Sequence, residues 1–188
     1  TYPSGSGLSV TDTGVVNLAA GSTFTMSGAL TSAGQLSGEG ALVLARADSV
    51  ANIFNNSGTI DVGSLTAENI TFNQNGGSVQ ADSGWFENSV VNVSSGDMSH
   101  DTMGLNNAYT VGEVGNTAAG ATLSFDTVTS DSTVNIVDGG TLNAEKINLT
   151  RDQKTVHLLG GTLATSLDQI FGDVQHSALD IDAADPDD

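Results

Sequence analysis

Gly58-Thr59-Ile60-Asp61-Val62 is followed nineteen residues later by Gly77-Ser78-Val79-Gln80-Ala81, a glycine with apolar residues two and four places beyond it. The figure returns at Gly40-Ala41-Leu42-Val43-Leu44 and at Gly140-Thr141-Leu142-Asn143-Ala144. Alternation of period two marks a strand with one buried face. Glycines 21, 40, 58, 77, 96, 120, 140 and 161 span 140 residues in seven steps, a mean of 20. Phe24 with Met26, and Leu123 with Phe125, obey the rule one residue later. A second alternation precedes the glycines in Val16-Asn17-Leu18, Val91-Asn92-Val93, Val134-Asn135-Ile136 and Val156-His157-Leu158.

Strands of three to five residues cannot each bury a face alone, but stacked turns of a solenoid can. The expectation is therefore an all-β fold: a right-handed parallel β-helix of about nine coils over residues 1–165, with the glycines at its corners. A sandwich of hairpins would also show alternation, but it does not require the apolar pairs to keep a constant offset from each glycine. The two prolines, Pro3 and Pro186, stay near the ends, as a structure made of central ladders demands.

Composition narrows the partners. The 188 residues hold 22 acids against 4 bases, a net charge of −18, which repels nucleic acid and anionic membrane surfaces. Charged residues are only 14% of the chain, so this is a hydroxyl- and amide-rich surface rather than an acidic tail. With no cysteine there is no disulfide framework and no thiolate site. No run of 18 apolar residues is present, so this segment is not expected to insert in a membrane. No charged and then apolar leader opens the chain, so any signal peptide is expected to have been removed already.

The stretches Asn52–Ile60, Leu65–Ile70, Asn75–Val79, Val134–Leu142 and Leu158–Leu163 resemble passenger repeats of type V secreted proteins, both filamentous-haemagglutinin-like and autotransporter adhesins. The likeness covers most of residues 15–165. It implies an extracellular or outer cell-surface module with a structural and adhesive role, no cofactor, and a host or neighbouring-cell surface protein or glycan as partner. Self-association through the ends or sides, giving a filament subunit, is the alternative. No two-partner secretion signature stands near the start and no membrane-barrel translocator at the end, which suits a passenger fragment or an independent protein sharing the fold.

Candidate binding residues follow from exposure and irregularity. Trp85 and Phe86 are adjacent, so one must face outward, where an aromatic could stack on a sugar or a protein. The longest step, 24 residues from Gly96 to Gly120, holds His100, Asn106, Asn107 and Tyr109 within Asp97–Asn116, where an extra loop is expected. Asn17, Asn92 and Asn135 share an outward register that suits an amide row, with His157 at the equivalent place.

Residues 166–188 are expected to form a cap and an acidic tail. Ser166 is a plausible N-cap for a short helix burying Leu167, Ile170, Phe171 and Val174, with one more strand-bearing coil as the alternative. Ala178–Asp182 alternates like a strand. Asp180, Asp182 and Asp185 have a faint calcium-loop look, although the glycine such a loop needs is missing and a solvated tail is the better account. The histidines are scattered, so no other metal site is expected.

Catalysis is not expected. Polysaccharide-acting β-helix enzymes need clustered carboxylates with basic partners. Only acids of Asp97–Asn116 or of the Glu145–Lys154 turn could serve, and a charged turn explains the latter. Ala81-Asp82-Ser83-Gly84 lacks the first glycine of the serine-protease element, so it is read as a turn.

Overall fold

The computed structural model describes residues 7–45, 52–99, 107–129, 133–149, 155–165, 170–172 and 178–181. Their seventeen strands form one continuous ladder in which every pairing is parallel. The chain is an all-β parallel solenoid with three faces, and the described residues contain no helix.

Face A stacks β1 (Leu8–Val10), β4 (Leu30–Ser32), β6 (Asn52–Asn56), the start of β8 (Ile70–Glu87), the start of β9 (Val90–Ser99), β10 (Ala108–Val111), β12 (Thr133–Ile136), β14 (Thr155–Leu158) and β17 (Ala178–Ile181). Face B stacks β2 (Val15–Asn17), the starts of β5 (Gln35–Ala45) and β7 (Thr59–Glu68), the middle of β8, the end of β9, the starts of β11 (Ala121–Thr129) and β13 (Gly140–Leu149), and β15 (Thr162–Ala164). Face C takes β3 (Thr23–Met26), the ends of β5, β7, β8, β11 and β13, and β16 (Ile170–Gly172).

The core is built from columns. On face B, Val16, Leu36, Ile60, Val79, Met98, Leu123, Leu142 and Leu163 lie one above another, and all but the two end members are buried. On face A the buried column runs Leu30, Phe54, Phe72, Val91, Tyr109, Val134 and Val156. Each such side chain contributes about 1.5–3 kcal/mol by leaving water.

Pairing redraws the glycine register. Val15 lies against Gln35, Gln35 against Thr59 and Ala121 against Gly140, so the true corner column is Gly14, Gly34, Gly58, Gly77, Gly96, Ala121, Gly140 and Gly161. Its seven steps span 147 residues, so from Gly14 to Gly161 the chain makes about seven turns of 21 residues, slightly longer than the expected 20. Gly21 and Gly40 belong instead to the corner between faces B and C, where β5 carries a bulge between Gly38 and Ala41.

The correct register also reveals a second long step, from Gly34 to Gly58. Ala45 pairs with Glu68 and Asn52 with Ile70, so six residues do in one turn what one does in the next. That stretch, residues 46–51, lies outside the described residues.

The C-terminal helix is not formed where it was expected. Ile170–Gly172 is a strand against Ile147–Leu149, and Ala178–Ile181 is a strand against Thr155–Leu158 of the same chain. Ladder hydrogen bonds from the coil beneath outweigh the weak 3.6-residue spacing of four apolar residues.

The glycine column is steric. A Cβ at Gly58 would overlap the Gly34 carbonyl oxygen and come within 2.6 Å of the Ala33 carbonyl carbon. One at Gly77, where φ is 65°, would overlap the Gly58 oxygen. At Gly7 it would meet only the Ala29 oxygen at 3.5 Å. Gly58→Ala and Gly77→Ala should each cost about 1–3 kcal/mol, lowering Tm by roughly 2–12 °C. Gly7→Ala should be neutral or slightly stabilising. Thermal unfolding followed by circular dichroism measures all three.

Candidate functional site

Among the expected binding residues that are described, Trp85 reaches solvent. It stands on face C in the outward row Thr25, Val43, Thr66, Trp85 and is 41% exposed. Phe86, one residue on, turns inward and is buried, packing edge-on against Phe72 with centroids 5.9 Å apart. Strand alternation thus splits the pair, and Phe86 is core rather than contact surface.

The long step after Gly96 resolves in the same way. Val91 and Tyr109 are rung neighbours eighteen residues apart, so the chain up to Tyr109 completes an ordinary turn. Tyr109 is buried, with Phe125 edge-on at 5.4 Å. Asn107 is buried as a corner clamp: its Nδ2 donates to Phe86 O at 2.7 Å and its Oδ1 accepts from Ser89 N at 2.9 Å. Asn52 does the same work three turns below, its Nδ2 donating to Ser27 O and Ala45 O. His100 and Asn106 lie outside the described residues.

The extra loop is Gly112–Gly120. Val111 pairs with Ile136 and Ala121 with Gly140, so nine residues stand where the next turn uses three. Asp138 of that turn braces the loop, accepting from Gly115 N through Oδ2 at 2.7 Å and from Glu113 N through its carbonyl at 3.0 Å. Asn116 Nδ2 donates to Glu113 Oε2 at 2.9 Å. Val114, 81% exposed, is carried on this loop.

An amide row does run up face A, but with partly different members. Asn73 Nδ2 donates to Asn55 Oδ1 and Asn92 Nδ2 to Asn73 Oδ1, each at 2.9 Å. Thr110, Asn135 and His157 continue the same column, whereas Asn17 sits on face B beside Ser37. The missed members Asn55 and Asn73 each follow a buried phenylalanine but precede a buried polar residue, Asn56 or Gln74, so the apolar pair that flanks Asn92 and Asn135 is absent there.

Two acids near Trp85 were also missed. Glu68 and Glu87 are rung neighbours at the face C to face A corner, and Glu87 is two residues beyond Trp85 on the same side of its strand. Asn69 and Asn88, which follow them, both turn the corner at positive φ, 55° and 48°. Asn69 Nδ2 holds Glu68 Oε1 at 3.0 Å. The Glu-Asn pair recurring after nineteen residues was the available signal.

Of the acids considered for catalysis, Asp97 faces outward on face B beside Ser78, and Glu113 is tied into the loop. Asp82 and Ser83 lie inside β8, where it passes from face B to face C, not in a separate turn, and Ser83 Oγ donates to Gly63 O at 3.3 Å. The side chains of Glu145, Lys146 and Asp180, with residues 150–154, Asp182 and Asp185, lie outside the description. Among the described residues no group of three acids or histidines is placed to hold a metal, and no helix is long and apolar enough to cross a membrane. A shallow groove of about 330 Å³ follows the face A to face B corner, lined by Asp12, Thr13, Gln35 and Thr59 over Gly14, Gly34 and Gly58.

No family model, curated protein or solved structure matches the chain.

Burial pushes the Tyr109 phenol above the ordinary tyrosine value, with the Asn107 side chain pulling more weakly the other way. As pH rises the unfolded chain loses this proton first. The stability tied to the neutral phenol is therefore complete below pH ~10 and falls above it by about 1.4 kcal/mol per pH unit. Urea melts between pH 9 and 11 should show that slope, and Tyr109→Phe should flatten it. Asn107→Ala, which removes the acceptor of Ser89 N and a donor to Phe86 O, should cost about 1–3 kcal/mol.

Proposed function

We propose that the chain is a structural and adhesive β-solenoid module of the extracellular or outer cell-surface kind, as its resemblance to type V passenger repeats implies. The observation that carries this reading is its outer surface. On a close-packed column, a row of Asn and Thr runs up face A beside exposed Ile53 and Val90, rows of Ser, Thr and Gln with Asp61 and Asp97 run up face B, and Trp85 stands exposed on face C. Such a column holds its contact residues in place with little entropy left to lose on binding. Its partner is a surface protein or glycan of a host or neighbouring cell, and the role requires no cofactor.

A filament subunit is the second reading. Leu8, Val16 and Phe24, in the first described turn, and Leu163, in the last described strand of face B, are only partly buried. Apolar residues at the ends of a ladder favour continuation by further parallel strands, here those of another molecule.

Beads coated with the purified protein should adhere to epithelial monolayers or bacterial lawns several-fold more than albumin-coated beads. Equal retention on both surfaces would sink the adhesive reading. Electron microscopy at high salt, which screens the −18 charge, decides the filament: one-dimensional polymers support it and dispersed particles refute it.

A further inference from the structure

We propose that Trp85, Glu68 and Glu87 form a docking site for a cationic segment of a partner protein, with an arginine or lysine side chain seated over the indole. Glu68 and Glu87 are adjacent rungs of the parallel ladder, which places their backbones about 4.8 Å apart. Trp85 and Glu87 are next-but-one on β8 and project to the same side, about 7 Å apart along the strand. An exposed aromatic thus stands on the same side of its strand as Glu87, with Glu68 on the adjacent rung and the Glu68 carboxylate held by Asn69.

This combination selects a cation. The ring face attracts a guanidinium or ammonium within about 6 Å of its centre, and the carboxylates supply charge-assisted hydrogen-bond acceptors beside it. A guanidinium is planar, so it can lie on the indole while its edge reaches toward the acids. A neutral glycan would use the indole but leave both carboxylates unpaired with charge, and a second copy of this chain would bring another −18. Charge complementarity therefore favours a basic polypeptide. The site deepens the adhesive reading and rests on it only for the setting in which such a partner is met.

Trp85 is the single tryptophan of the chain, so its fluorescence reports on this site alone. A tetra-arginine amide peptide should quench or shift that emission saturably, and less so as salt is raised. Glu68→Gln with Glu87→Gln should weaken binding roughly tenfold. Asp61→Asn with Asp97→Asn removes the same two charges from face B and should change it less than twofold. Trp85→Ala, followed by calorimetry and shown folded by circular dichroism, should also lose roughly tenfold.

Equal losses in the two double variants would reduce the binding to net charge and overturn the proposal. So would a response to maltohexaose in place of the peptide, which would assign the indole to a glycan. Bead adhesion that persists while Trp85 ignores the peptide would reject this site and leave the adhesive reading standing. Peptide binding without bead adhesion would do the reverse.

Discussion

Everything in this molecule answers to one spacing, the roughly 4.8 Å between parallel strands of successive turns. At that distance a side chain pointing inward lies directly on its counterpart in the turn below. Columns of like residues follow, such as Leu36, Ile60, Val79, Met98, Leu123 and Leu142 on face B. The same closeness leaves no room for a Cβ above the carbonyl of the turn beneath, and Gly58 and Gly77 satisfy that limit at the corner. Polar side chains are admitted to the interior where they serve the backbone. Asn56 donates to Gly58 O and to Gln74 Oε1 while accepting from Gly58 N, closing hydrogen bonds that a tight corner would otherwise strand.

Variation is consequently confined to corners. Inserting a residue within a strand would slip the register and turn a buried column outward, whereas lengthening a corner leaves the ladders above and below intact. The Gly112–Gly120 loop shows how such an insertion is accommodated. It folds back onto Asp138 of the following turn, so its peptide groups stay paired and Val114 is held up on a braced support. Trp85 achieves exposure differently. It sits within β8, two residues before the corner at Glu87, its backbone held by the ladder, and alternation alone points it outward.

The solenoid was legible in the sequence because burial on one face of a strand imposes alternation, and stacking imposes recurrence. Ile60 and Val62, Val79 and Ala81, and Leu142 and Ala144 carry both signals and are all buried. The site was less legible. Asn107 and Tyr109 fall in an irregular stretch and carry chemically versatile groups, yet the turn closes normally around them and takes both into the core. Glu68 and Glu87 lie nineteen residues apart, and only pairing of β7 with β8 makes them neighbours.

The sequence by itself determined the parallel stack, its period near twenty, and the division of residues between inside and outside, because these follow from local alternation repeated along the chain. It also determined that either Trp85 or Phe86 must be exposed. Which one, which glycines share a corner, where each insertion leaves the stack, and whether Ile170 and Phe171 end in a helix or a strand were decided by tertiary structure. Those outcomes depend on which residue of the next turn each peptide group meets. That partner is set by corner lengths that no local pattern encodes.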